Sequence, residues 1–77
     1  MKVGDLVKLS AAGMNTNWLR WRYQNLNGIV LHVHQKDERD EYGKKMREGD
    51  IKVHWFGAYH SYYMKVSVPR SAVKFAR

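Results

Sequence analysis

The segment that most constrains the fold of this chain is residues 28–34, which read GIVLHVH. Valine, isoleucine and leucine dominate it, and such side chains favour extended strands. The dipeptide Asn27-Gly28 precedes the run and tolerates positive φ, as turn-forming dipeptides do. The segment therefore predicts a central β-strand that begins at a turn.

Four further apolar runs have the length of short strands: residues 3–9, 51–56, 62–68 and 72–76. In the second of these, strict alternation places Ile51, Val53 and Trp55 on one face, which we assign to the core. Pro69 cannot donate to a sheet ladder, so the fourth strand ends there and a single tight turn follows. The pattern contains no long amphipathic helix. It predicts an all-β fold, a small, five-stranded, strongly bent barrel formed by a single domain over residues 1–77.

Two long connections interrupt these strands. Residues 10–26 contain Leu19, Tyr23 and Leu26 at helical spacing, which is typical of one helical turn. The same residues in an extended strand would place Trp18, Arg20 and Arg22 on one side. The sequence leaves both conformations open. In either case we expect at least one of Trp18 and Trp21 in the core of so small a domain.

The second connection, residues 35–50, is highly charged and is expected to form a solvated loop or the ends of a hairpin between strands 2 and 3. It contains five basic and six acidic side chains. The other 61 residues contain nine basic side chains and a single acid, Asp5, although the chain as a whole carries a net charge of +7. A body almost free of carboxylates attracts phosphates and acidic partners.

Composition also argues against several classes of protein. The chain has no cysteine, which excludes disulfides and thiolate metal sites and fits a reducing compartment. No apolar run reaches the roughly 20 residues of a membrane span, and no signal peptide is recognisable, so we expect an intracellular protein with no membrane partner. No set of residues resembles a catalytic site, and there is no glycine-rich phosphate loop, so we expect neither an enzyme nor a cofactor.

The candidate ligand-binding residues combine aromatic rings with cations. In residues 18–23 the aromatic residues Trp18, Trp21 and Tyr23 are interleaved with arginines, as in surfaces that stack on bases and hold phosphates. If strands 2 and 3 pair antiparallel, the outer face of the sheet brings three histidines and a lysine together. The predicted ligand-binding set is Trp18, Arg20, Trp21, Arg22, His32, His34, Lys52, His54, Tyr63 and Lys65.

The three histidines also raise the question of a metal site. His32 and His34 are two residues apart, and His54 would lie on the neighbouring strand. Their spacing is not that of a known structural metal site, and Lys52 among them would repel a cation. We therefore expect no metal, and favour a cationic patch that strengthens when the histidines are protonated.

The order of these features resembles a known family. The opening Gly-Asp-Leu-Val, a long loop, Gly-Ile-Val-Leu, Ile-Lys-Val-His-Trp and the closing Val-Pro-Arg-Ser-Ala-Val-Lys-Phe resemble Src-homology-3-like small barrels. Within that group the chain is most similar to short, mostly uncharacterised versions encoded by tailed bacteriophages. The resemblance implies that the two long loops flank a binding face and that a 3₁₀ turn precedes the last strand. It also implies a location in the host cytoplasm, with the virion as the alternative.

The sequence thus yields two functional hypotheses. The first is a non-enzymatic basic module that binds a phosphate-rich ligand, either a nucleic acid or a nucleotide. The second is a protein–protein interaction module, such as a phage virion component or an inhibitor of a host protein. It would use an aromatic patch around residues 59–63 or an unpaired edge strand, through which the chain is also expected to self-associate.

Overall fold

The computed structural model describes residues 1–40, 42–58 and 63–76. The elements follow the order β1 (Leu6–Leu9), α1 (Ala11–Met14), α2 (Asn17–Tyr23), β2 (Gly28–Val33), β3 (Ile51–Trp55), β4 (Lys65–Val68), a 3₁₀ turn (Arg70–Ala72) and β5 (Val73–Phe75). All strand pairs are antiparallel, and the five strands form one sheet in the order β4-β3-β2-β1-β5. The predicted all-β class is confirmed. Within the described residues β4 and β5 are not paired with each other, so the sheet is not closed into a barrel.

The core lies on the inner face of β3. Ile51, Val53 and Trp55 are fully buried, as their alternation predicts. The indole of Trp55 stacks on the ring of Tyr23 in α2, with ring centroids 4.7 Å apart and planes 19° from parallel. Offset stacking of two buried aromatic rings adds about 0.5–1.5 kcal/mol to the burial of their area. This contact joins the helical connection to the sheet.

The first long connection is helical rather than extended. Ser10 caps α1 by accepting a hydrogen bond from the backbone N–H of Gly13 at 3.2 Å. In α2, Leu19 and Tyr23 are one turn apart and both are buried. The expectation of a core tryptophan in this segment is wrong, because the helical period turns Trp18 and Trp21 outward, to 45% and 68% exposure.

Neither helix has the length or the apolar character needed to cross a lipid bilayer, and this holds for every helix in the described part of the chain.

Strand β2 departs from simple alternation. Its register against β3 pairs Val30 with Val53 and then His32 with Lys52, so Leu31 is an extra residue in a β-bulge. Before the bulge, Val30 rather than Ile29 is fully buried; at the bulge, Leu31 is exposed. Alternation groups Val30 with His32 and His34 on the outer face, and this is wrong for Val30 and His34, which are buried, whereas His32 is exposed as expected. The extra residue of the bulge reverses the phase between Val30 and His32.

Gly28 is required for close packing rather than for a turn. The positive φ in this region belongs to Asn25, at 63°, whereas Gly28 is paired with Trp55 in regular strand geometry. A Cβ atom at position 28 would lie 2.5 Å from Cγ1 of Val53 and 2.9 Å from the carbonyl oxygen of His54. The absence of a side chain here lets the buried indole pack directly against β2.

The charged connection forms an irregular hairpin. An isolated antiparallel bridge joins Arg39 to Lys45, and the backbone N–H of Met46 donates to the carbonyl of Glu38 at 2.9 Å. The side chain of Met46 is buried and anchors the returning arm of the hairpin. The hairpin stands beside α2 and β4 and forms one wall of the cavity described below.

The aromatic patch of the second hypothesis falls in the connection between β3 and β4. Tyr59, His60 and Tyr62 lie outside the described residues. Tyr63, which alternation placed on the outer face, is half-buried and packs against the core cluster.

Gly28→Ala is expected to destabilise the protein by about 1–3 kcal/mol, because the new methyl group overlaps backbone as well as side-chain atoms. The measurement is the urea midpoint at unchanged slope. Asn27→Ala, at the exposed neighbouring position, is the control and should change stability by less than about 0.5 kcal/mol. Equal stability of the two variants would contradict the close approach of Trp55 to β2.

Candidate functional site

Arg22, in the first connection, contacts Tyr63, which lies two residues before β4. Its guanidinium carbon lies 3.9 Å from the ring centroid of Tyr63 and 5.6 Å from that of Trp18. The position of Tyr63 is itself fixed, because its carbonyl accepts a hydrogen bond of 2.7 Å from the buried hydroxyl of Tyr23. Cation–π contacts of this kind hold a charge beside aromatic faces while leaving its other N–H groups able to donate.

Trp18, Arg22 and Tyr63 form one wall of a cavity of about 870 Å³. The cavity lies between the two helices, the hairpin, β4 and the 3₁₀ turn. Such a volume is within the range of small-molecule sites in proteins. Six basic side chains line it, against two carboxylates: Arg22, Lys44, Lys45, Arg47, Lys65 and Arg70, with Asp40 and Asp50. We call this cavity the basic groove.

Asp50 ties two walls of the basic groove together. One carboxylate oxygen accepts the backbone N–H of Arg47 at 3.1 Å, and the other accepts the backbone N–H of Arg70 at 3.2 Å. The side chain is buried, and these N–H groups compensate the cost of its desolvation. Asp40 is likewise occupied by its own turn, where one oxygen accepts the N–H groups of Tyr42 and Lys44. Both carboxylates therefore serve the backbone.

Four of the ten predicted site residues line the basic groove: Trp18, Arg22, Tyr63 and Lys65. Arg20 and Trp21 lie on the same helix but outside that cavity, on its solvent side, where they line a shallower depression with Trp18. Two further predicted residues, Lys52 and His54, lie on the outer face of β3. There His54 is the cross-strand neighbour of Lys65, and Lys52 is the neighbour of His32.

The last two predicted residues form a separate cluster with an acid. Nε2 of His32 lies 2.7 Å from Oε2 of Glu38, and Nδ1 of His34 lies 3.5 Å from the same oxygen. His34 is only 3% exposed, so its predicted place on the outer face is wrong. It follows the bulge, and its Nε2 lies within hydrogen-bond distance of Oγ of Ser67 on β4, at 2.9 Å. We call His32, His34 and Glu38 the histidine–glutamate cluster.

A tight turn places Glu38 in this cluster. The backbone N–H of Gln35 donates to Oε1 of Glu38 at 2.8 Å, and Asp37 adopts a left-handed φ of 65°. The pKa of the Glu38 carboxyl is held below its ordinary range, first by the hydrogen bond with His32 and then by that N–H of Gln35. The carboxylate is therefore ionised at neutral pH.

Sequence reasoning missed the residues that the hairpin contributes to the basic groove and to the histidine–glutamate cluster. It treated residues 35–50 as a solvated segment of net charge −1, whereas Lys44 and Arg47 line the basic groove and Glu38 joins the two histidines. The signal that was available is Met46, an apolar residue within a charged run, which indicates that this arm packs against the body. Arg70 was assigned only to the turn after Pro69.

Comparison of the chain with protein-family models, with curated proteins and with solved structures finds no match.

The lowered pKa of Glu38 predicts a pH dependence of stability. A carboxyl whose pKa is lower in the folded than in the unfolded state contributes stability above the unfolded-state pKa, and that contribution is lost as the pH falls through the folded-state pKa. Glu38→Gln should therefore lose less free energy of unfolding on acidification than the wild type, as measured by urea unfolding at neutral and acidic pH.

The matched control for this experiment is Glu48→Gln, which removes an exposed carboxylate from the same connection. It should retain the acid sensitivity of the wild type. If the two variants respond to acid alike, the hydrogen bond between Glu38 and His32 has no energetic role.

Proposed function

We propose that this protein is a non-enzymatic module that binds a phosphate-rich ligand, a nucleic acid or a nucleotide, in the basic groove. The observation that carries the proposal is the convergence of six basic side chains with Trp18 and Tyr63 around one cavity. Lysine and arginine neutralise phosphates, and each ring that stacks on a base contributes roughly 1–3 kcal/mol. A ligand that carries both phosphates and bases uses both chemistries at once.

Charge and geometry support this assignment in different ways. The cations of the groove come from four separate parts of the chain: α2, the hairpin, β4 and the 3₁₀ turn. Such crowding of like charges is unfavourable unless an anion compensates it. Lys45 is already paired with Asp37 at 2.8 Å. The two carboxylates at the groove are bound to backbone N–H groups, so a phosphate would add the negative charge that the other groove cations attract.

The antiparallel sheet order and the 3₁₀ turn before β5 support a Src-homology-3-like barrel as the finer description of the fold. With the sequence resemblance, they support an origin among the small proteins of tailed bacteriophages and action in the host cytoplasm. In this proposal the first connection and the hairpin flank the ligand, as the long loops of such barrels do.

A second candidate function is binding of a host or virion protein. The observation that favours it is the exposure of the Trp21 side chain, at 68%, beside the half-exposed Trp18. In addition, no described strand pairs with the outer edge of β4 or of β5, and unpaired edges accept strands from partners or from a second copy.

Replacement of two groove cations tests the first proposal. The variant Lys44→Gln/Lys65→Gln should bind single-stranded DNA or RNA more weakly and should flatten the dependence of log affinity on log salt by roughly one to two units. Fluorescence anisotropy of a labelled oligonucleotide at several salt concentrations measures both effects. Duplex DNA and nucleotides complete the panel and identify the preferred ligand.

The charge-matched control is Lys8→Gln/Lys74→Gln, which removes a cross-strand lysine pair from β1 and β5, away from the groove. It has the same net charge as the test variant and should keep wild-type affinity and salt slope. Equal weakening of both variants would show that the oligonucleotide is held only by non-specific electrostatic attraction to the positively charged protein. If no ligand in the panel binds, the first proposal is wrong and the second, binding of a host or virion protein, takes its place.

A pair of tryptophan variants places the ligand. Ligand-induced quenching of intrinsic fluorescence should persist in Trp21→Phe and be largely lost in Trp18→Phe, because only Trp18 lines the basic groove. Trp55, the third tryptophan, is fully buried and provides a check that both variants are folded. The opposite result would move the site to the solvent side of α2.

A further inference from the structure

The histidine–glutamate cluster is separate from the basic groove, because none of its three residues lines that cavity. One potential ligand atom from each residue lies within 4.8 Å of the others. The ring planes of His32 and His34 are nearly perpendicular, at 85°, with centroids 5.3 Å apart. The cluster therefore brings two imidazole nitrogens and a carboxylate oxygen within 4.8 Å of one another.

One ring nitrogen of His34 is left without a hydrogen bond in the described part of the chain. Nδ1 of His34 is buried and makes no hydrogen bond with any atom of residues 1–40, 42–58 and 63–76. The 3.5 Å contact with Glu38 lacks hydrogen-bond geometry. Since Nε2 faces the hydroxyl of Ser67 at 2.9 Å, a neutral ring that donates from Nε2 has a free acceptor at Nδ1. A buried polar atom without a partner is rare in folded proteins and calls for an explanation.

The same arrangement is what metal-binding histidines adopt. Such residues donate their second ring N–H to a neighbouring acceptor, which fixes the ring and its tautomer. Here Ser67 takes that role for His34, and the backbone N–H of Gln35 orients the Glu38 carboxylate. Tetrahedral ligands at about 2.1 Å from zinc lie roughly 3.4 Å from one another. The 3.5 Å separation between Nδ1 of His34 and Oε2 of Glu38 matches that value, whereas Nε2 of His32, at 2.7 Å from the same oxygen, has to move outward to admit the ion.

We propose that His32, His34 and Glu38 form a binding site for Zn²⁺ or a similar borderline divalent cation. Nε2 of His32, Nδ1 of His34 and a carboxylate oxygen of Glu38 are the three protein ligands. The His32 side chain is 47% exposed, so the fourth position faces solvent and is filled by water. The ion replaces the hydrogen bond between His32 and Glu38 and joins the end of β2 to the start of the hairpin.

The site is selective by its donor chemistry. Two imidazoles and one carboxylate suit zinc and its transition-metal neighbours, whereas magnesium and calcium require sets of oxygen ligands. Lys52, the cross-strand neighbour of His32, opposes the charge of the ion, and the carboxylate of Glu38 provides the compensating negative charge that the histidines alone lack.

Isothermal titration of the full chain with ZnCl₂ tests the proposal. The expected result is one Zn²⁺ per chain, affinity reduced at least tenfold in His32→Gln and in Glu38→Gln, and no response to MgCl₂. His54→Gln, which removes a histidine from the outer face of β3, is the matched control and should bind as the wild type does. Thermal unfolding should shift upward with added Zn²⁺ in the wild type and in the control.

His32 and Glu38 are both partly exposed, so their replacement leaves the core intact and the test does not depend on the buried His34. Titration with Co²⁺ gives a second readout, since its visible spectrum reports nitrogen and oxygen coordination directly. The proposal is overturned if the wild type takes up no Zn²⁺, if His32→Gln binds with unchanged affinity, or if His54→Gln loses binding to the same degree. These outcomes are independent of nucleic-acid binding.

Discussion

The stacking of Tyr23 on Trp55 is the contact on which the arrangement of this molecule depends. It holds the helical connection against the central strands, because β3 provides the indole and α2 provides the phenol ring. The hydroxyl of Tyr23 donates a hydrogen bond to the carbonyl of Tyr63 and so holds the segment that precedes β4. The Arg22 guanidinium lies over that tyrosine ring. A purely apolar contact in the core thus sets the position of a charge at the surface.

The hairpin between β2 and β3 has a comparable organising role for the polar chemistry. Its first turn delivers Glu38 to the two histidines, and its returning arm delivers Lys44 and Arg47 to the basic groove. Met46 anchors the arm between these two regions. A short segment that carries almost no net charge therefore contributes a carboxylate to one cluster and several cations to the basic groove.

Much of the sheet was predictable from sequence, whereas the sites were predictable only in part. Alternation identified the buried face of β3, since Ile51, Val53 and Trp55 obey a strict period of two. It failed in β2, where Val30 is buried and the phase then reverses at Leu31, because a bulge depends on pairing with β3 and leaves no local mark in the sequence. The same bulge precedes the burial of His34, and the return of the hairpin toward it depends on tertiary contacts. Sequence reasoning named Arg22 and Tyr63 but had no means to bring Arg70 or Glu38 beside the predicted residues.

The carboxylate of Asp50 has a mechanical consequence for the groove. By accepting backbone N–H groups from both Arg47 and Arg70, it acts as a spacer that fixes two basic segments at a set separation. The electrostatic work of bringing their like charges together is therefore done once, when the chain folds, and does not recur when a ligand arrives. For the proposed function this means preorganisation: the positive field that a phosphate would meet is built by folding rather than by the binding event.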